Sequence, residues 1–197
     1  MKHMLKIVVT GSFAAGKTQF IRSISDIEVV DTDFKTTIDE ERGLKSETTV
    51  ALDFGTIAIT PTLKLYLFGT PGQVRFDYMW EELATGCIGY VVLVDSCRPA
   101  YFAETQHLMQ RFTEITSAPF VVAANKQDDP AALPPLYVRR RLGIPAEIPV
   151  LPCVASDRSS VKLVLISLLK HITSYGATSD AEDNVADDAH SSHASSA

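Results

Sequence analysis

The chain has 197 residues, 46% of them hydrophobic and 21% charged, which is enough apolar material for one ordinary core and too little for two. Its formal charge of −6 is unevenly placed, because residues 175–197 carry Asp180, Glu182, Asp183, Asp187 and Asp188 without a Lys or Arg, leaving the remainder near −1. A nearly neutral body exerts no general pull on nucleic acid or an anionic membrane, so charge favours neither as a partner.

In chain order, residues 5–9 form an apolar run expected as a strand, followed by a helix at 16–25. Residues 26–47 are polar and weakly periodic and read as a long mobile loop. Two strand-like runs at 48–59 and 62–68 flank Thr60-Pro61-Thr62 and read as a hairpin, giving one antiparallel edge strand. A regular alternation follows: helix 79–84, strand 88–94, helix 100–115, strand 120–124, helix 136–142, strand 150–154 and helix 161–172. The continuous apolar run Tyr90-Val91-Val92-Leu93-Val94 is the pattern of a strand buried on both faces, as a parallel sheet covered by helices requires.

The expected fold is therefore α/β: a mostly parallel six-stranded sheet with one antiparallel edge strand and helices on both faces. One domain is expected over 1–174, with 175–197 a disordered acidic tail that has almost nothing to bury. His190 and His193 read as part of that solvated tail.

Cys87, Cys97 and Cys153 show no CxxC spacing, and Cys87 and Cys153 fall in apolar strand-like runs, so buried free thiols in a reducing compartment are expected. The chain enters its first apolar run too soon for a signal peptide, and no stretch reaches the ~18 apolar residues of a spanning helix. Neither a glycine at position 2 nor a C-terminal Cys-a-a-X is present, so the expectation is a cytoplasmic protein with no direct membrane anchor.

Residues 11–18, GSFAAGKT, fit G-x-x-x-x-G-K-[ST], a phosphate-cradling P-loop. The motif follows the β-rich run Ile7-Val8-Val9 and opens a helix, so successive backbone N–H groups and the helix N-terminus converge on one anion site. Glycine is needed at Gly11 and Gly16, where a side chain would collide with phosphate or require an unfavourable φ. Lys17 supplies a charge for the β- and γ-phosphates, and the Thr18 hydroxyl is placed for Mg²⁺. The expected nucleotide contacts here are Gly11, Phe13, Ala14, Ala15, Gly16, Lys17, Thr18 and Gln19.

The base must be read elsewhere, and Asn125-Lys126-Gln127-Asp128 matches N-K-x-D at the end of an apolar strand. A carboxylate at Asp128 accepts two hydrogen bonds from the N1–H and exocyclic amine of guanine, whereas adenine offers no such donor pair. The Lys126 stem can lie along the base. Ala155 and Ser156 end the next strand, where a backbone N–H can meet the guanine O6.

With both motifs in place, residues 4–173 resemble the Ras-like small GTPases. Thr48-Thr49-Val50-Ala51-Leu52-Asp53-Phe54-Gly55 and Leu67-Phe68-Gly69-Thr70-Pro71-Gly72-Gln73 resemble the prokaryotic branch related to MglA and the bacterial GTPases encoded beside roadblock-type proteins. The resemblance implies a switch driven by GTP and GDP, with Thr49 on Mg²⁺ and the γ-phosphate, Gly72 donating its N–H to that phosphate, and Gln73 orienting the attacking water. Gln73, Lys17 and Thr49 would be catalytic, and Thr18 and Thr49 would hold the metal. A roadblock-type regulatory protein and an effector are the implied partners.

Two positions depart from that family. Gly69 stands where the Ras-like proteins usually have a Mg²⁺-linked Asp, leaving Asp31, Asp33 and Asp53 as possible substitutes. Phe13 stands where Ras has a glycine beside the γ-phosphate, which implies slow intrinsic hydrolysis; Arg75 is a possible charge donor in cis. A GTP-holding adaptor with negligible hydrolysis is the alternative reading, and an ATP-dependent kinase or motor is opposed by Asp128.

Overall fold

The structure, a computed structural model, describes the backbone of residues 3–39, 45–71 and 78–191, with side chains described for 4–29, 52–71 and 78–175. The β-branched runs form strands β1 (His3–Thr10), β2 (Val30–Asp39), β3 (Lys45–Ala58), β4 (Leu63–Gly69), β5 (Cys87–Asp95), β6 (Phe120–Asn125) and β7 (Val150–Pro152). Between them lie helices α1 (Lys17–Ile24), α2 (Tyr78–Ala84), α3 (Phe102–Ile115), α4 (Pro135–Leu142) and α5 (Arg158–Ser191).

All seven strands join one sheet in the order β2-β3-β4-β1-β5-β6-β7. The pairs β4-β1, β1-β5, β5-β6 and β6-β7 are parallel, while β3 runs antiparallel to both β2 and β4. This is the expected P-loop GTPase fold, mostly parallel with one antiparallel strand. The six expected strands are present, and β2 is a seventh that covers the outer edge of β3.

That strand corrects the reading of 26–47 as a loop. Val30, Thr32, Phe34, Thr36 and Ile38 alternate with Asp31, Asp33, Lys35, Thr37 and Asp39, a period-two pattern suited to an edge strand with one polar face. Beyond the packed body, α5 runs on as helix through 175–191, the stretch expected as an acidic tail. A helix already nucleated by its packed half adds one hydrogen bond per residue without a new nucleation cost, and 175–191 contains no proline to stop it. Among α5 residues whose side chains are described, Ile172 is the last packed on the core.

Successive residues of each central strand enter opposite cores. Ile7, Val9, Val91, Leu93, Val121 and Ala123 pack beneath α1 and α5 with Phe20, Ile21, Val164 and Leu168. Val8, Tyr90, Val92, Val94, Val122 and Ala124 pack on the other face against Trp80, Phe102, Phe112 and Val138. Burial on both faces explains why these strands are apolar throughout. Among the thiols, Cys153 is buried and pushed up to about 12 by desolvation, whereas Cys87 is only half-buried, short of the expected full burial.

Because the chain steps from β1 outward to β4 and later back to β5, a crevice opens beyond the carboxyl ends of β1 and β5. The segments after β1, β5, β6 and β7 all emerge on that side.

Candidate functional site

The loop from β1 to α1 occupies this crevice. Gly11 has φ 150° and Gly16 φ 104°, with Ala14 also left-handed at 59°. A β-carbon on Gly11 would lie 2.3 Å from the Leu93 carbonyl oxygen, and one on Gly16 would lie 2.5 Å from Asn125 Nδ2. Both glycines are therefore required by the close approach of neighbouring chain, in addition to any ligand. No side chain caps α1 at Gly16, and the first amides of a helix have no intrahelical partner, so they face the crevice mouth as anion donors.

Lys17 is buried, and its Nζ donates to the Gly11 and Ser12 carbonyl oxygens at 2.7 and 2.9 Å. Burial lowers its pKa to about 8, against the opposing pull of Asp53 and Glu104. A cleft of about 520 Å³ lies over the loop, lined among others by Phe13, Lys17, Thr18, Gln19, Asp53 and Thr70. Phe13 is 58% exposed at this cleft, so its ring is free to meet whatever enters.

Thr18 Oγ1 donates to Asp53 Oδ2 at 2.7 Å, joining the start of α1 to β3. Asp53 reaches this position over Gly69, where an added β-carbon would meet Asp53 Cβ at 2.9 Å and Oδ2 at 3.0 Å. The β2-β3 register sets Asp31 directly opposite Asp53, while Asp33 stands opposite Ala51, one pair farther along. The Thr70 hydroxyl meets the Thr10 hydroxyl at 2.9 Å and its N–H donates to the Val9 carbonyl, tying the end of β4 beside the loop.

Asn125 is the brace between the phosphate loop and the far strands. Its Nδ2 donates to the Ala15 carbonyl and its Oδ1 accepts from the Ala155 N–H, both at 2.8 Å. Lys126 has a left-handed φ of 66°, and its Nζ donates to Asp95 Oδ2 at 2.6 Å. Asp128 is exposed beyond them. Since the Ala155 N–H is already engaged with Asn125, the amide left for a ligand oxygen at this strand end is that of Ser156.

Of the expected nucleotide contacts, Phe13, Ala14, Gly16, Lys17, Thr18 and Gln19 line the cleft, Gly11 accepts from the Lys17 ammonium, and Asn125 ties Ala15 to Ala155. Lys126, Asp128 and Ser156 follow Asn125 and Ala155 in the chain and are not part of that cleft's lining. The structure does not bring Thr49 to Thr18: Thr49 pairs with Lys35 in the β2-β3 ladder, four strand residues from Asp53. Four residues of extended strand span about 13 Å. Gly72, Gln73 and Arg75 lie outside the described residues.

Asp95 was missed from sequence. It closes the apolar run of β5 in register with Asn125, and an acid ending a buried strand beside the N-K-x-D motif was the available signal.

Residues 9–175 match the model of a family described as "Conserved hypothetical ATP binding protein". An uncharacterized protein of Methanocaldococcus jannaschii is 30% identical over 127 residues, covering 64% of this chain and 73% of its own length. Human ADP-ribosylation factor-like protein 4C is 28% identical over 148 residues, covering 74% of this chain and 72% of its own. ADP-ribosylation factor-like protein 1 of Saccharomyces cerevisiae is 27% identical over 143 residues, covering 71% and 70%.

Proposed function

The chain belongs to the family described as conserved hypothetical ATP-binding proteins and to the P-loop superfamily of Ras-like GTPases, and from that premise we propose that it is a guanine-nucleotide switch that hydrolyses GTP to GDP and phosphate, slowly without a partner. The observation that carries the choice of base is the brace at Asn125, which holds the N-K-x-D segment rigidly against the phosphate loop through Ala15. With Lys126 pinned by Asp95, Asp128 is the free carboxylate at the rim, suited to the N1–H and exocyclic amine of guanine. Adenine presents no matching donor pair, so the residues argue for guanine although the family's description names ATP.

Phosphates enter where the Gly16–Lys17 turn offers its amides and the Lys17 ammonium. Oxygen donors at the Thr18 end of the cleft suit a hard cation, and Thr18 is the residue proposed to hold Mg²⁺. When bound, Mg²⁺ would neutralise charge on the β- and γ-phosphates. Gln73 is assigned to orienting water, and Gly72 to donating its N–H to the γ-phosphate. Thr49 is assigned to the nucleotide-engaged state: β3 pairs with β4 over Phe54–Ala58, and among the described residues the Lys45–Asp53 half has β2 as its strand partner. Rearrangement of that half would carry Thr49 inward and give the two states of a switch.

A roadblock-type regulatory protein and a separate effector are the proposed partners, by resemblance, and the cytoplasm the proposed location. No helix among the described residues is long and apolar enough to cross a membrane. One observation favours a second reading, a GTP-holding adaptor: the exposed Phe13 ring at the cleft, where glutamine or an activating arginine would approach.

Phosphate release from purified GTP-loaded protein, with and without a roadblock-type partner, separates the two. Release that is lost in Gln73→Ala while GTP affinity persists supports the switch; bound GTP without release under either condition supports the adaptor.

A further inference from the structure

A nucleotide in the cleft would bring its phosphate charge to Lys17 and Thr18, yet the cleft already holds a carboxylate. Asp53 accepts from the Thr18 hydroxyl at 2.7 Å and lines the same space as Lys17. A carboxylate beside phosphate oxygens, both negative, is unfavourable unless a cation stands between them.

The neighbouring strand is cut to fit. Gly69 leaves room for the Asp53 side chain, and a β-carbon there would stand 2.9 Å from Asp53 Cβ, 3.0 Å from its Oδ2 and 3.1 Å from Ile21 Cδ1. Ile21 is fully buried and has no space to yield, so a side chain at 69 would push the half-buried Asp53 aside. Glycine at 69 and aspartate at 53 are thus one arrangement, in which the carboxylate comes from β3 and crosses over β4.

We infer that Asp53, crossing over Gly69 to the Thr18 hydroxyl, is the carboxylate through which this chain holds the divalent cation of its bound nucleotide. The inference rests on the nucleotide reading above. It resolves the choice among Asp31, Asp33 and Asp53 in favour of the residue that touches Thr18. One carboxylate and one hydroxyl leave most of a hard cation's coordination sites open, and the phosphates of the bound nucleotide are the oxygen ligands that would fill them. Cation and nucleotide should therefore bind together.

The test is Mn²⁺ binding followed by electron paramagnetic resonance on GDP-loaded protein, beside GDP release rates in Mg²⁺ and in EDTA. Wild type is expected to bind Mn²⁺ only with GDP present and to release GDP at least tenfold faster in EDTA. Asp53→Asn keeps the shape and an acceptor for Thr18 but loses the charge. It should bind Mn²⁺ at least tenfold more weakly, release GDP fast in Mg²⁺, and keep its metal-free GDP affinity. Gly69→Ala, which displaces Asp53, should shift Mn²⁺ affinity in the same direction. Unchanged Mn²⁺ affinity in Asp53→Asn overturns the inference alone, as does an equal loss of GDP affinity with and without metal. Failure of wild type to bind GDP under any condition overturns the nucleotide reading with it.

Discussion

Asn125 holds the phosphate loop from 110 residues away in sequence, its Nδ2 donating to the Ala15 carbonyl oxygen at 2.8 Å while its Oδ1 accepts from Ala155. Both bonds are buried, so Asn125→Ala leaves a carbonyl and an N–H without partners. At ~1 to 3 kcal/mol for each buried group left unsatisfied, the ligand-free protein should lose about 2 kcal/mol or more. Chemical denaturation gives the figure, and nucleotide affinity should fall with it. A variant as stable as wild type would show that water replaces the brace.

Lys17 makes phosphate binding depend on pH. In the free protein its pKa is lowered to about 8 by burial, while phosphates beside it favour the ammonium. Binding therefore takes up a proton once the pH exceeds about 8, and affinity falls as pH rises from there, by up to about tenfold per pH unit. GDP titrations between pH 7 and 9 should show the bend, and Lys17→Arg, charged throughout, should flatten it. A flat wild-type profile would place the Lys17 pKa elsewhere.

The Lys126–Asp95 pair fixes a lysine stem that has little else to hold its head. Asp95 is 2% exposed and its Oδ2 lies 2.6 Å from Lys126 Nζ, with Arg98 farther away at 3.7 Å. Asp95→Asn removes the charge and frees the ammonium, so GDP should bind roughly tenfold more weakly, ~1.4 kcal/mol. Calorimetry checks this, and inorganic pyrophosphate, which lacks the base, should bind the variant as it binds wild type.

Much of this site was legible because its chemistry is written in short contiguous strings. The loop from Gly11 to Thr18 and the segment from Asn125 to Asp128 each follow an apolar run whose burial on both faces announces a parallel sheet. What was not legible depends on pairing across the chain. β2 was hidden because an edge strand with one polar face looks like a loop when its partner is unknown. Asp53 could not be chosen over Asp31 and Asp33 until the β3-β4 register brought it over Gly69. Asp95 read as an ordinary strand end until it stood beside Lys126.

Phe13 at the cleft mouth should slow hydrolysis by occupying the space that a water-orienting glutamine or an activating arginine needs. Phe13→Gly is expected to raise the single-turnover GTP hydrolysis rate roughly tenfold, ~1.4 kcal/mol in the barrier, with little change in GDP affinity. Wild type hydrolysing GTP faster than the variant would assign the ring a helpful role.

Asp128 is expected to select guanine within a family described by ATP. Displacement of a fluorescent GDP analogue from wild type by GTP, GDP and ATP tests it most directly. GTP and GDP should compete at least about a hundredfold better than ATP, a margin expected when a site built for hydrogen-bond donors meets a base that lacks them, and Asp128→Ala should erase that margin. ATP displacing the probe as well as GTP does would rule out selection of guanine by Asp128.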